Sequence, residues 1–551
     1  METRSLTREQ LNAVPKEVLV TLYLQLSENM ATVMEQNDAL LKKVDQLQES
    51  IAVLLQQRYG KKSEKSTQIE GQLSLDLPEL DIFNEAEKLT EGSMPEEPLF
   101  EEVIIRRKKR AGKKEADLSG FPADIEEHIL SEEELATLFP AGYRRLPDEV
   151  HREVDYIPVQ FRVREIHTAV YAGKDCNGRQ TVVKAERPKS LLKNSILSPS
   201  LASAVINAKY INSVPLNRFS QEIQTFGLNL SRQTMAGWMI RIAELYFSLL
   251  YRRLHEEILK SRLIHCDETP FKIIHDVNED GSARGPTAKS YMWVYHTPGG
   301  EGQHPVCLYD YRPTRKTSNP ESFLKGYRGI LVTDGYQSYH TMEKRHAGEL
   351  KVAGCWAHAK RKFADICKAK GTDAKGTIAL EADRRIEAIY HMDNMKKDAS
   401  AKERLEHRQA SVRPLVEAFF EWAKEMHSQT DTSSETGKAL AYCLNQEKYL
   451  EQFLTDPVIP MTNNDAERSI RKFVVGRKNW VIIDSKNGAE ASAILYSIAE
   501  TARANRLRPF YYFQYVLEEM VKHMEDRDLK FIEDLLPWSD KLPEHIHNKY
   551  E

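Results

Sequence analysis

Arg262–Ile274 reads RLIHCDETPFKII and 329–339 reads GILVTDGYQSY. In the first stretch, β-branched and apolar residues flank an acid on both sides, which predicts a strand carrying Asp267 at an interior position. In the second, an apolar strand stops at Asp334 and a Gly-Tyr turn follows. That carboxylate therefore projects from the carboxyl end of a strand, where open α/β sheets place their ligands. A third acid lies in TNNDAERSIRKF (462–473), where Asn464 can cap a helix and Ala466, Ile470 and Val474 form its buried stripe. Such a helix holds Glu467 beside the core.

Two divalent cations about 4 Å apart need several hard oxygen ligands, which two or three shared carboxylates provide while leaving positions open for water and phosphate. Such a pair suits in-line phosphodiester chemistry. Each acid alone also fits a structural role. Asp267 and Glu268 can end a strand, Asp334 with Gly335 can be turn chemistry, and Glu467 fits a capping box with Asn464 and an i,i+4 pair to Arg471. The functional reading rests on their combination.

The surrounding words sharpen it: CDETP, VTDGYQSY, GCWAHAKRKF, NNDAERSIRKFVVGRKNW, GAEASAILYSIAETARANRL and the terminal DLLPW. In these motifs the chain resembles transposases of the insertion sequence 66 family, a branch of the DDE transposases, from RYGKKSEK at Arg58 almost to the C-terminus. The resemblance implies a ribonuclease H-like catalytic domain in which Asp267, Asp334 and Glu467 are the catalytic acids and metal ligands, with Mg²⁺ or Mn²⁺ as cofactor. It further implies double-stranded DNA as substrate, both element ends and target, and two small accessory proteins of the same element as partners. The alternatives are a metal-dependent nuclease that does not transfer strands and a silent DNA-binding regulator derived from a transposase.

With 551 residues, 41% hydrophobic and 29% charged, the chain can build several domains with real cores. Its net charge of -4 provides no global attraction to nucleic acid, so DNA contact must come from local basic patches. The six cysteines form no CxxC pair, which fits a reducing cytosol. No secretory signal is evident and no apolar run approaches the roughly 20 residues needed to span a bilayer. The expectation is a cytoplasmic protein, on the nucleoid when bound to DNA.

The expected architecture is multidomain α+β. Residues 15–60 carry Leu26, Val33, Leu40, Leu47 and Leu54 at one heptad position and Met30, Asn37, Val44 and Ile51 at the complementary one. That is a coiled-coil seam, and mostly leucine at d with a lone Asn37 at a predicts a parallel homodimer. The family's corresponding region likewise resembles a leucine zipper. Residues 61–120 read as a linker, acidic and then basic (IIRRKKRAGKK, 104–114), either solvated or in contact with phosphates. Residues 121–191 resemble the family's zinc-binding module, but the CxxC pairs are missing and only Cys176 remains. A structural zinc needs four N/S ligands, so zinc is not expected, and His128, His151 and His167 read as surface residues.

Residues 192–255 have helix-turn-helix dimensions, with the second helix starting after Ser231. Met235, Trp238 or Met239, Ile242 and Leu245 form its apolar stripe, leaving Arg232, Gln233 and Arg241 for DNA; an ordinary helical hairpin is the alternative. The catalytic domain, 262–480, follows a β-β-β-α-β-α-β order with a helical insertion at about 368–456. His358, Lys360 and Arg361 follow the sheet, where they can meet phosphates or form the polar face of a buried helix, and His358 is not assigned catalysis. Lys360 and Arg361, together with Arg468, Arg471, Arg477 and Lys478 around the third acid, are the expected DNA contacts near the site. A helical C-terminal region, 481–551, completes the chain.

Overall fold

The computed structural model describes residues 15–59, 161–174, 180–185, 189–275, 282–285, 288–300, 302–526 and 528–548. The 104–114 basic tract, His128, His151 and Cys176 lie outside the described residues. All described residues except 161–163 belong to one compact unit. The fold is mixed α+β.

Its centre is a five-stranded mixed sheet of β3 (Leu263–Phe271), β5 (Ser290–Thr297), β6 (Val306–Arg312), β7 (Gly329–Thr333) and β8 (Leu350–Gly354), in the order β6-β5-β3-β7-β8. β3 pairs antiparallel with β5 and parallel with β7, while β7 pairs parallel with β8. A hairpin of β1 (Val170–Lys174) and β2 (Gln180–Lys184) precedes this sheet, and a short parallel pair joins β4 (Ile273–His275) to β9 (Ile483–Ser485). Within 121–191 the described residues contain that hairpin, and His167 is exposed, 3.2 Å from Glu165.

Helix α1 (Lys16–Tyr59) is one continuous 44-residue helix. After it come α2 (Pro199–Ile206), α3 (Leu216–Thr225) and α4 (Arg232–Ile242), whose N-cap Ser231 accepts from the Thr234 amide at 3.1 Å. A π-helical turn, Ala243–Phe247, carries α4 into α5 (Ser248–Ile258). The extra residue in that turn rotates the face, so Tyr246 is buried and Leu245 is 51% exposed, which corrects the expected stripe at its last position.

Between β6 and β8 stand α6 (Ser318–Phe323) and α7 (Gln337–Arg345), and α8 (Trp356–Lys370) follows β8. The segment expected to be helical contains α9 (Ile378–Asn394), α10 (Ala401–His407), α11 (Arg413–Gln429), α12 (Glu435–Asn445) and α13 (Glu447–Leu450). α9, α11, α12 and α13 share a core with Val332, Ala353, Trp356 and Phe363, so the insertion packs on the β7–β8 side of the sheet.

At the opposite edge, α15 (Lys486–Ala504) runs along β6, after α14 (Asn464–Trp480) and before α16 (Pro509–Lys522). Ser497 Oγ accepts from the Tyr309 amide at 2.7 Å, and Thr501 Oγ1 accepts from the Cys307 amide at 3.0 Å while donating to its carbonyl at 2.9 Å. Two hydroxyls one helical turn apart thus satisfy backbone groups that an edge strand would otherwise leave open.

Candidate active site

Asp267 lies within the central strand β3, opposite Val294 of β5. The parallel register Leu263↔Ile330 and His265↔Val332, carried on two residues, sets Asp267 level with Asp334 just past the end of β7. Glu467 is in the first turn of α14. Burial, followed by the charges of Glu268 and Asp334 and then Glu467, holds the Asp267 carboxyl well above the usual carboxylate range, offset by the Glu268 amide that donates to Asp267 Oδ1 at 2.8 Å. The three acids foreseen from sequence therefore converge electrostatically.

Glu268, read from sequence only as a strand-end residue, belongs to the same cluster. Burial and Asp334 push its carboxyl up to about 7, against the lowering influence of Arg315. Arg315 Nε donates to Glu268 Oε1 at 2.8 Å, and its guanidinium lies 3.7 Å from the ring centre of Tyr336. Such an arginine is fixed by both contacts.

The Asp334 turn is buttressed by the insertion. Tyr336 N–H donates to Asp334 Oδ1 at 3.0 Å, and Tyr442 Oη on α12 donates to the Asp334 carbonyl at 2.8 Å. Gly335 has φ +92°, and a Cβ there would lie 3.0 Å from both Gln446 Oε1 and Tyr442 Oη. Only glycine meets both conditions without displacement.

Glu467 owes its position to Asn463 rather than to a capping box. The helix N-cap is Asn463, not Asn464, and its side chain makes no cap bond. Instead the fully buried Asn463 accepts from His265 Nδ1 at 2.9 Å, donates Nδ2–H to the Cys266 carbonyl at 2.7 Å, and donates its backbone N–H to Cys355 Sγ at 3.2 Å. One residue thus ties the start of α14 to β3 and to the start of α8. The buried stripe of α14 is Ala466, Ile470, Phe473 and Gly476; Val474, expected in it, is only half-buried.

Glu467 Oε2 accepts from Arg361 Nη2 at 2.9 Å, and His358 Nδ1 lies 3.4 Å from Oε1. Both of these partners stand on α8. Lys360 is bonded to Glu387 of α9 instead of facing the acids, and Arg477 donates to the Pro270 carbonyl on β3. Arg468 is 4.0 Å from Asp465, and Lys478 is exposed. Arg232, Gln233 and Arg241 are all exposed on α4, separate in sequence from the acids.

The family model described as "Transposase IS66 family" matches residues 194–491, more than half the chain and all three acids. The chain belongs to the IS66 transposase family. The model "IS66 C-terminal element" matches 497–538, and "Transposase C of IS166 homeodomain" matches 46–127. Two relatives from Sinorhizobium fredii (strain NBRC 101917 / NGR234) align over 512 residues each. The uncharacterized protein y4hP is 27% identical across 90% of this chain and 88% of its own length, and the uncharacterized protein y4jD is 26% identical across 92% and 96%. Membership in a transposase family, with a homeodomain-type match, implies interaction with DNA. Among the described residues, no helix is long and apolar enough to cross a membrane.

Proposed function

We propose that this chain is a DDE-type DNA transposase that cleaves at element ends and joins the freed ends to target DNA. The observation that carries the reading is the convergence of Asp267, Asp334 and Glu467 within a transposase family match. Buried like charges cost stability, and they are retained where chemistry needs them. The strand order β6-β5-β3-β7-β8, antiparallel on one side of β3 and parallel on the other, favours a ribonuclease H-like domain with the acids at its active edge.

The donor set fits hard divalent cations: carboxylate oxygens, including Glu467 Oε1, which is buried and has no hydrogen-bond partner among the described residues. Asp267, Asp334 and Glu467 would hold Mg²⁺ or Mn²⁺, which when bound supplies activation of the attacking oxygen and stabilisation of the leaving one. Asn463 orients Glu467, Tyr442 braces the Asp334 turn, and Arg315 offsets the charge of Glu268. The reaction in this reading is hydrolysis at the element end followed by transesterification by the released 3′-hydroxyl, without a covalent protein intermediate.

For DNA docking we assign Arg232, Gln233 and Arg241 on α4, with Arg361, Arg468, Arg471 and Lys478 nearer the acids. Lys360 and Arg477 leave this set because they are bonded to Glu387 and to the Pro270 carbonyl, whereas Arg361 pairs with one of the three acids itself. Dimerisation through α1 is part of the same reading: Leu26, Leu40 and Leu47 of the heptad seam are 65%, 60% and 57% exposed. Accessory proteins of the same element remain proposed partners.

The test is Mg²⁺-dependent nicking of end-labelled DNA taken from the flanks of this gene. Asp267→Ala, Asp334→Ala and Glu467→Ala should each lower nicking by about 10³-fold or more while DNA binding is kept. Wild-type binding without nicking would favour the silent regulator; nicking without joined products would favour the nuclease.

A further inference from the structure

A second donor set of different chemistry touches Glu467 from the other side. Cys355 is the N-cap residue of α8 and His358 lies three positions on, so Cys-x-x-His brings both side chains to one end of that helix. Cys355 Sγ, His358 and Glu467 offer ligand atoms that all lie within 4.8 Å of one another. A tetrahedral site with one thiolate and two N/O ligands holds its donors about 3.5 Å apart, so modest side-chain adjustment closes the set.

Two of these atoms are orphans. His358 Nδ1 and Glu467 Oε1 are both buried and, among the described residues, neither makes a hydrogen bond, although they face each other at 3.4 Å. Buried polar atoms generally find partners; these two are among thirteen buried side-chain atoms of the described residues that make no hydrogen bond, and they stand side by side. The sulfur has the complementary property: the backbone amide of Asn463 donates to it at 3.2 Å, and those of Ala357 and His358 also point at it. Burial nevertheless pushes the Cys355 thiol up to about 12, so the thiolate forms only with a cation beside it, and these N–H groups then support its charge as they do at metal-bound thiolates.

We propose that Cys355 Sγ, His358 Nδ1 and Glu467 Oε1 form a binding site for a single thiophilic divalent cation of the zinc class, with its fourth position open. This goes beyond the transposase reading, since a hard cation such as Mg²⁺ does not seek thiolate, whereas Zn²⁺, Co²⁺ and Cd²⁺ do. Occupancy takes Oε1 of Glu467 from the carboxylate cluster, so the site opposes Mg²⁺ binding there. The thiol gives up its proton to solvent as the metal–sulfur bond forms.

The experiment is titration of the full-length protein with Co²⁺, reading the thiolate-to-cobalt charge-transfer absorption, in parallel with thermal melts in Zn²⁺. The wild type should develop the band at one cation per chain and melt higher in Zn²⁺. Cys355→Ser should abolish the band, and His358→Ala should weaken cobalt binding by at least about 10-fold. Asp334→Ala, which leaves all three proposed ligands in place, should retain both band and melting shift. Absence of the band in wild type, or a band that survives Cys355→Ser, overturns the proposal. Should Cys355→Ser fail to fold, the His358→Ala titration decides: unweakened cobalt binding refutes the site. None of these readouts depends on DNA cleavage.

Discussion

Asp267 and Glu268 are carboxyls whose protonated forms the fold favours. Their values in the folded chain are raised, for Glu268 to about 7, above an unfolded value of 4.5. The folded state therefore holds more protons between those pH values, and stability falls as pH rises across that window. In chelator, the melting temperature should drop between pH 5 and pH 8, by the equivalent of about 2–3 kcal/mol for Glu268. Mg²⁺ should restore more at pH 8 than at pH 5, because it binds the ionised carboxylates. Asp267→Asn should melt higher than wild type in chelator at pH 8 yet lack nicking activity, a trade of function against stability read by calorimetry. A melt independent of pH between 5 and 8 would contradict the burial argument.

The acids themselves were legible because each sits in a local pattern with a mechanism: an interior strand position, a strand end before glycine, a first helical turn. Their supports were not. Read from sequence, the cap falls at Asn464 and Asn463 has no role; only the fold brings Asn463 to His265, Cys266 and Cys355, far away in sequence. Arg361 and Lys360 read alike as phosphate contacts; in three dimensions one holds Glu467 and the other is bonded to Glu387.

At the scale of elements, α14 is pinned by Asn463, and Asn463→Ala should cost about 2–4 kcal/mol by stranding buried partners and should lower nicking more than the loss of folded protein explains. Denaturant melts together with activity per folded molecule check this. The Asp334 turn is equally constrained. Gly335→Ala adds a Cβ 3.0 Å from Gln446 and Tyr442 at a positive φ and should cost about 1–3 kcal/mol while displacing Asp334. On the far edge, Ser497→Ala combined with Thr501→Val opens the β6 backbone and should promote association on heating, measurable by light scattering. Strands and helices were recoverable from periodicity. The π-helical turn at Ala243–Phe247 was not, since one extra residue per turn leaves the composition unchanged and moves only the face, from Leu245 to Tyr246.

For the whole molecule, α1 presents two faces. Glu49 and Val53 are buried on the side opposite the heptad seam, and Glu49 Oε1 accepts from the Thr436 amide at 2.8 Å and hydroxyl at 2.7 Å, in the first turn of α12. The heptad count exposed the seam, but nothing in it indicated that the back of the same helix docks on α8 and α12. Those two helices carry Arg361 and His358 beside Glu467, and Tyr442 beside Asp334. Leu40→Asp with Leu47→Asp should therefore convert the proposed dimer to a monomer in size-exclusion light scattering while leaving the melting temperature of the body unchanged. A wild-type monomer would contradict dimerisation through α1.

The most direct measurement is strand transfer: labelled DNA from the ends flanking this gene, supercoiled target and Mg²⁺, comparing wild type with Asp334→Ala. A transposase dependent on Asp334 joins label to target as wild type and joins none as the variant, with both proteins binding the end DNA. Joined product from Asp334→Ala, or end binding by wild type with no transfer when the accessory proteins are supplied, would contradict it.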